Sequence, residues 1–239
     1  MTSSPDSPAP AQPEQAGDLD DAWLVVPLHN EAQVVREVIQ NARWTFPHVV
    51  VVDDGSRDGS AARAEAAGAV VVRHPINLGQ GAALQTGICY VLERTDARYL
   101  VTFDADGQHS VADAAAMVTA AREEDLAIVL GSRFLEGPSP VGRLKRLVLA
   151  TAAAATSRTT GMHLTDAHNG LRLLRRDAAE RLNLRQNRMA HASEIIRQLG
   201  ATGLPWREFP VHIAYTEYSR AKGQSLLNSV NILVDLIFS

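Results

Sequence analysis

The chain has 239 residues, enough for one large domain or two small ones, with the ordinary apolar fraction of a soluble globular protein. A formal net charge of −4 argues against a general nucleic-acid binder, which would show a basic face. The single cysteine, Cys89, excludes an internal disulfide, fits a reducing cytosolic compartment, and reads as a small core residue of a predicted helix.

Residues 1–20 are rich in Pro, Ser, Ala, Gln and Asp and contain no apolar block, which predicts a disordered tail. No basic start followed by an apolar stretch marks a secretory signal, and no run reaches the roughly 20 apolar residues that span a bilayer. From there strands alternate with helical patterns. Residues 24–28 read as a first strand buried on both faces. Asn30 is expected to cap a helix to about Arg43, with Gln33 in the capping-box position. Residues 49–52 form the second strand, and Asp58 or Ser60 opens a helix to about Ala67. A third strand follows at 69–73, then a turn at 77–81 opening a helix to about Glu93. The fourth strand covers 99–103. Ser110 and Asp113 cap a helix over 111–123, and the fifth strand covers 126–130. This rhythm predicts an α/β fold with a mostly parallel sheet and helices on both faces.

After Arg133 the rhythm breaks. A Gly/Pro loop at 134–140 leads into a helical pattern at 141–158, with Leu144, Leu147, Val148 and Thr151 on one side. Short strands are expected at 171–174 and 207–213, with a helix near 192–199 between them. Residues 215–223 read as a loop, and 225–238 as an amphipathic helix with Leu226, Leu227, Val230, Leu233, Val234 and Ile237 on one face. That helix either packs on the sheet or lies at a membrane interface. Arg143, Lys145 and Arg146 are either surface charge or a patch for anionic headgroups.

Two strand ends carry the chemistry. The second strand runs into Asp53 and Asp54, and the fourth into Asp104-Ala-Asp106-Gly-Gln108-His109. In open parallel sheets, ligands bind at the carboxyl ends of strands. Asp104 and Asp106 are one residue apart and can face the same side, with Gln108 continuing the series. Their oxygens suit Mg²⁺ or Mn²⁺ bridging to phosphate; the competing reading is a solvated Asp-Gly turn. Asp53 and Asp54 suit the N–H and O–H groups of a nucleotide, or the capping of their own turn. The glycines of Asn77-Leu-Gly79-Gln-Gly81 match neither a dinucleotide fingerprint nor a Walker A loop, and read as a tight turn beside the site. Arg220 and Lys222 sit in a Gly-containing loop suited to clamping phosphates, or are simply solvated.

Together these motifs resemble the family-2 glycosyltransferases with a GT-A fold, most closely the polyprenyl (dolichol) phosphate sugar transferase branch. The similarity runs from Leu24 to the C-terminus. It is carried by Val26-Pro-Leu-His-Asn-Glu31, Val52-Asp-Asp-Gly-Ser-Arg-Asp-Gly-Ser60, Asn77-Leu-Gly-Gln-Gly-Ala82, Asp104-Ala-Asp-Gly-Gln-His109, Gly131-Ser-Arg133, Asp166-Ala-His-Asn-Gly-Leu-Arg172 and Tyr218-Ser-Arg-Ala-Lys-Gly223. The resemblance implies an inverting transfer from a nucleoside-diphosphate-sugar donor without a covalent enzyme intermediate. It implies that Pro27, Asn30, Glu31, Asp53, Asp54 and Gly81 surround the nucleotide and that Asp104, Asp106 and Gln108 hold the metal. Arg133 would lie near the donor, with Arg220 and Lys222 over the phosphates. Where relatives often carry a Ser-Gly-Phe-type segment, this chain has His168-Asn169-Gly170-Leu171, which leaves the acceptor open.

A polyprenyl phosphate acceptor is already anionic and needs no base; a sugar hydroxyl would need one, for which Asp166 and Glu194 are available. The expected organisation is a nucleotide-sugar-binding half at 21–133 and an acceptor-side α/β extension at 134–239 of the same domain. The expected location is cytoplasmic, peripheral on the inner face of the cytoplasmic membrane, reached directly or through a small membrane-protein partner. The competing functions are transfer to a soluble hydroxyl, sugar-phosphate nucleotidyl transfer, whose Gly-rich Arg-containing loop is missing here, and a non-catalytic nucleotide-sugar-binding module.

Overall fold

The computed structural model describes residues 19–135, 162–187 and 190–214. The helices expected at 141–158 and 225–238, the 134–140 loop beyond Leu135, and the loop bearing Arg220 and Lys222 lie outside the described residues.

Seven strands form one sheet: β1 (Ala22–Leu28), β2 (His48–Asp54), β3 (Val70–His74), β4 (Tyr99–Thr102), β5 (Ile128–Ser132), β6 (Arg172–Arg175) and β7 (Trp206–Pro210). Their spatial order is β3-β2-β1-β4-β6-β5-β7. β1 runs parallel to β2 and β4, β2 to β3, and β5 to β7. β6 alone is antiparallel to its neighbours, β4 and β5. The sheet is therefore mostly parallel, as expected, but β6 from the second half of the chain is wedged between two strands of the first. The two halves share one sheet, and both contribute to the packing on each of its faces.

Successive β1 residues point to opposite faces, and both are covered. Leu24, Val26 and Leu28 pack with Val35, Ile39 and Ala42 of α1 (Val35–Arg43), Ala64 of α2 (Ser60–Ala66) and Ala114 and Met117 of α4 (Val111–Glu123). Val25 faces Leu84, Ile88 and Val91 of α3 (Gln80–Arg94) and residues of α5 (Arg176–Ala179) and α6 (His191–Ala201). Gly87 lets α3 lie close on the sheet, since a Cβ there would stand 2.5 Å from Val25 Cγ1.

Two local expectations are corrected. Asn30 does not cap α1. Its backbone has φ 54°, its Oδ1 accepts from Arg57 N at 3.0 Å, and the helix begins at Val35 without a side-chain cap. Leu19, placed by sequence within the tail of residues 1–20, is 4% exposed and belongs to the core. The cap of α4 is as expected: Ser110 Oγ accepts from Asp113 N.

Candidate active site

β1 is flanked by β2 on one side and β4 on the other, so the chain leaves it in opposite directions and a crevice opens at the strand carboxyl ends. A cavity of about 360 Å³ occupies that place. Its walls are Pro27, Leu28, His29 and Glu31 at and after the end of β1, Asp54 at the end of β2, Asn77, Gly79, Gln80 and Ala83 around the start of α3, and Asp104, Ala105 and Asp106 after β4.

Asp54 organises the wall between β2 and α3. Its Oδ1 accepts from Leu78 N at 2.8 Å and from His74 Nδ1 at 2.8 Å, and its Oδ2 accepts from Gly79 N at 2.7 Å. A carboxylate can only accept, so His74 Nδ1 donates to it, while His74 Nε2 lies 2.9 Å from Thr86 Oγ1. Asp54 is thus both a lining residue and the anchor of the turn. Asp53 points elsewhere, with its Oδ1 on Ser56 N and its side chain on a second hollow with Arg57 and Arg73.

Asp104 and Asp106 stand on the opposite wall. Asp104 N donates to His109 Nδ1 at 3.1 Å, so the ring proton sits on Nε2, which lies 3.4 Å from Asp104 Oδ2. Gln80 Nε2 donates to Asp104 Oδ1 at 3.2 Å. Asp106 Oδ1 accepts from Gln108 N, and Oδ2 from Gln108 Nε2 at 2.5 Å. Burial, and then the neighbouring Asp104 charge, push the Asp106 carboxyl above its ordinary range. Two like charges held together in a half-buried turn call for a cation. Among the described residues no group of three or more His, Cys, Asp or Glu side chains converges as a metal cage. A two-carboxylate set suits a divalent ion that keeps water and phosphate oxygens as its other ligands.

Residues 23–182 match the model described as Glycosyl transferase family 2. The chain belongs to that family. Among curated relatives of this family 2 glycosyltransferase, the UDP-N-acetylglucosamine–dolichyl-phosphate N-acetylglucosaminyltransferase of Methanococcus voltae is 27% identical, over 90% of this chain and 94% of the relative. The polyprenol monophosphomannose synthase of Mycolicibacterium smegmatis is 30% identical over 75% of this chain and 69% of its own. Among solved structures, glucosyl-3-phosphoglycerate synthase from Mycobacterium tuberculosis, crystallised with Mn²⁺, UDP-glucose and phosphoglyceric acid, superposes with a TM-score of 0.64. Its identity is 19%, covering 95% of this chain and 85% of that one. The shared architecture is the GT-A fold.

Of the residues singled out in the glycosyltransferase sequence, Pro27, Glu31, Asp54, Asp104 and Asp106 line the cavity. Asn30 does not; it braces the 56–57 turn. Gly81 is a packing glycine: its N–H donates to Asn187 O, and a Cβ would stand 2.1 Å from Gln186 O. Gln108 donates from its backbone N and from Nε2 to Asp106. Arg133 and Asp166 form a bidentate pair, Nε to Oδ2 at 2.6 Å and Nη2 to Oδ1 at 2.7 Å. Burial raises the Asp166 carboxyl, but the Arg133 hydrogen bonds and charge outweigh it and leave the group below its ordinary range. That is the wrong direction for a base. Glu194 is no freer, accepting from Arg185 N and Gln186 N. Sequence reasoning assigned no role to Gln80, which is polar at the first turn of α3, or to His109, although it closes the Asp-rich motif.

Proposed function

We propose that this family 2 glycosyltransferase transfers a sugar, with inversion, from a nucleoside-diphosphate-sugar to a polyprenyl phosphate at the inner surface of the cytoplasmic membrane. The observation that carries the reading is one cavity walled by the ends of three parallel strands. Asp54 and its turn form one side, and the closely paired Asp104 and Asp106 the other. Mg²⁺ or Mn²⁺ held by those two carboxylates would neutralise the charge that builds on the departing diphosphate. Pro27, Glu31 and the Asp54-anchored turn would hold the nucleotide.

A phosphate oxygen of the acceptor forms the bond to the anomeric carbon while the bond to the diphosphate oxygen breaks, and the electron pair leaves with the nucleoside diphosphate. The nucleophile is already ionised, so no side chain must take a proton. That Asp166 and Glu194 are both committed to structural partners fits this chemistry. Two curated relatives named for dolichyl-phosphate and polyprenol acceptors support the same class. No helix among the described residues is long and apolar enough to cross a membrane. A lipid acceptor would then be met at the surface, or through a small membrane-protein partner.

The test uses radiolabelled UDP-, GDP- and dTDP-sugars with undecaprenyl phosphate in detergent, and in parallel with soluble sugars. Label should enter the lipid fraction with one donor, and EDTA, Asp104→Ala or Asp106→Ala should abolish it. Transfer to a saccharide hydroxyl instead, or full turnover in EDTA, would overturn the acceptor and the metal assignments respectively.

A further inference from the structure

The turn before β6 holds polar groups that nothing described above uses. Arg172 is 3% exposed, and its guanidinium makes no hydrogen bond and no ion pair among the described residues. It feels the charges of Asp104 and Asp166. Asp166 already belongs to Arg133, and Asp104 accepts from Gln80 with His109 beside it. Burial, only partly offset by those two carboxylates, brings the Arg172 pKa down to about 10, so the side chain remains a cation at neutral pH.

Its neighbours in the turn are also incomplete. Asn169 is 4% exposed, its Oδ1 accepts from Leu171 N at 2.9 Å, and its Nδ2 is buried without a partner. The first bond fixes which end of the amide is left over: the donor end. His168 Nδ1 is likewise buried and unpartnered. The turn lies directly against the Asp-rich motif, since a Cβ on Gly170 would stand 2.6 Å from Asp104 Oδ2. A buried cation without a bonded counter-ion is among the most expensive features a fold can keep. A cluster of unsatisfied buried groups calls for a specific explanation.

We propose that Arg172, with Asn169 Nδ2, is the subsite for the phosphate of the acceptor, beside Asp104. The proposal deepens the functional reading above and rests on it for the word acceptor. An arginine fork and an amide N–H₂ offer only donors, which suits an anion with several acceptor oxygens better than a hydroxyl that must also donate. The shared chemistry is a phosphate monoester, borne by a lipid or by a small soluble molecule.

Binding and turnover are measured on the full-length wild type, Arg172→Met, Arg172→Lys and Asn169→Ala. The probes are inorganic phosphate, glycerol 3-phosphate and a short isoprenyl monophosphate, titrated calorimetrically with Mn²⁺ and nucleoside diphosphate present. Arg172→Met should weaken monoester binding at least ~10-fold and keep nucleotide affinity. It should melt no lower than wild type, because the cation it removes has no bonded partner. Arg172→Lys should recover part of the binding. Preference for the isoprenyl probe over glycerol 3-phosphate identifies a lipid source; the reverse identifies a soluble one. Equal monoester binding in wild type and Arg172→Met, or none in wild type, overturns the subsite. So does an Arg172→Met protein that melts well below wild type and loses nucleotide with it, the mark of a structural arginine. Arg172-dependent binding without sugar transfer to any monoester leaves the anion subsite standing and overturns the acceptor reading.

Discussion

Arg133, just after β5, grips Asp166, just before β6, through two parallel hydrogen bonds of 2.6 and 2.7 Å. Asp166 also accepts from Arg133 N, while its own N–H and that of Thr165 donate to Glu208 on β7. The segment leading to β6 is thereby tied to the end of β5 and to β7. Asp166→Asn leaves Arg133 half-paired, and about 3 kcal/mol of stability should be lost. The sign with pH follows from the lowered carboxyl. A depressed folded-state pKa stabilises above the ordinary carboxylate value and ceases to as pH falls through the folded one. The stability gap between wild type and Asp166→Asn, from urea melts, should be flat from about pH 5 to 8 and shrink below about pH 4. A gap that grows on acidification would refute the pairing as its source.

Asp54 accepts from three donors, two of them backbone N–H groups of the turn that lines the cavity. Asp54→Asn replaces one accepting oxygen with a donor and leaves at least one of these groups unsatisfied, at about 1–3 kcal/mol. Nucleoside-diphosphate affinity should fall roughly 10-fold, and the Leu78 and Gly79 amides should exchange hydrogen faster. Unchanged exchange with lost affinity would mean that Asp54 acts on the ligand alone.

The strands that make the cavity were legible because Val49–Val52 and their counterparts are buried on both faces, which leaves an apolar run that ends abruptly in acids. The Asp104–Asp106 spacing was legible for the same reason. What periodicity cannot carry is pairing between distant segments. β6 is four residues long, and nothing local says that it enters between β4 and β5. Arg133 and Asp166 meet across 33 residues, so Asp166 reads as a spare acid until its partner is seen. Asn30 fits the cap pattern, but its carbonyl oxygen serves a turn 27 residues away. Which of Asp53 and Asp54 would face the cavity depended on strand register, which two adjacent identical residues do not reveal.

Gly170 tests the Asp104 position without touching a charge. A methyl there would stand 2.6 Å from Asp104 Oδ2 and 3.1 Å from His109 Cε1. Gly170→Ala should therefore turn the Asp104 carboxylate and weaken Mn²⁺ binding by 10- to 100-fold, the range typical when the support of a ligand is disturbed. Gly59→Ala is the control: at φ 84° with nothing within 4 Å, it should cost about 1 kcal/mol of stability and leave metal affinity unchanged. Manganese titration followed by electron paramagnetic resonance reads both. Equal affinity in Gly170→Ala and wild type would remove Asp104 from the metal set.

Arg220 and Lys222 lie outside the described residues, yet the chain at 213–214 is held against the Asp104–His109 turn. Ala214 N donates to Gln108 O at 2.9 Å, and Ile213 bridges His109. Arg220 is six positions and Lys222 eight positions beyond Ala214, so they can lie no farther from it than about 22 and 29 Å at full extension. Glycosyl transfer builds negative charge on the leaving diphosphate, and a donor aimed at that charge acts in the transition state more than in the ground state. Arg220→Ala should then lower kcat about 10²-fold while weakening donor binding far less. Lys222→Ala should act in the same sense, and the double variant should fall short of the product of the two if both serve one phosphate. Steady-state kinetics with varied donor at saturating acceptor separates these effects. Wild-type turnover in both single variants would take the clamp away from this segment.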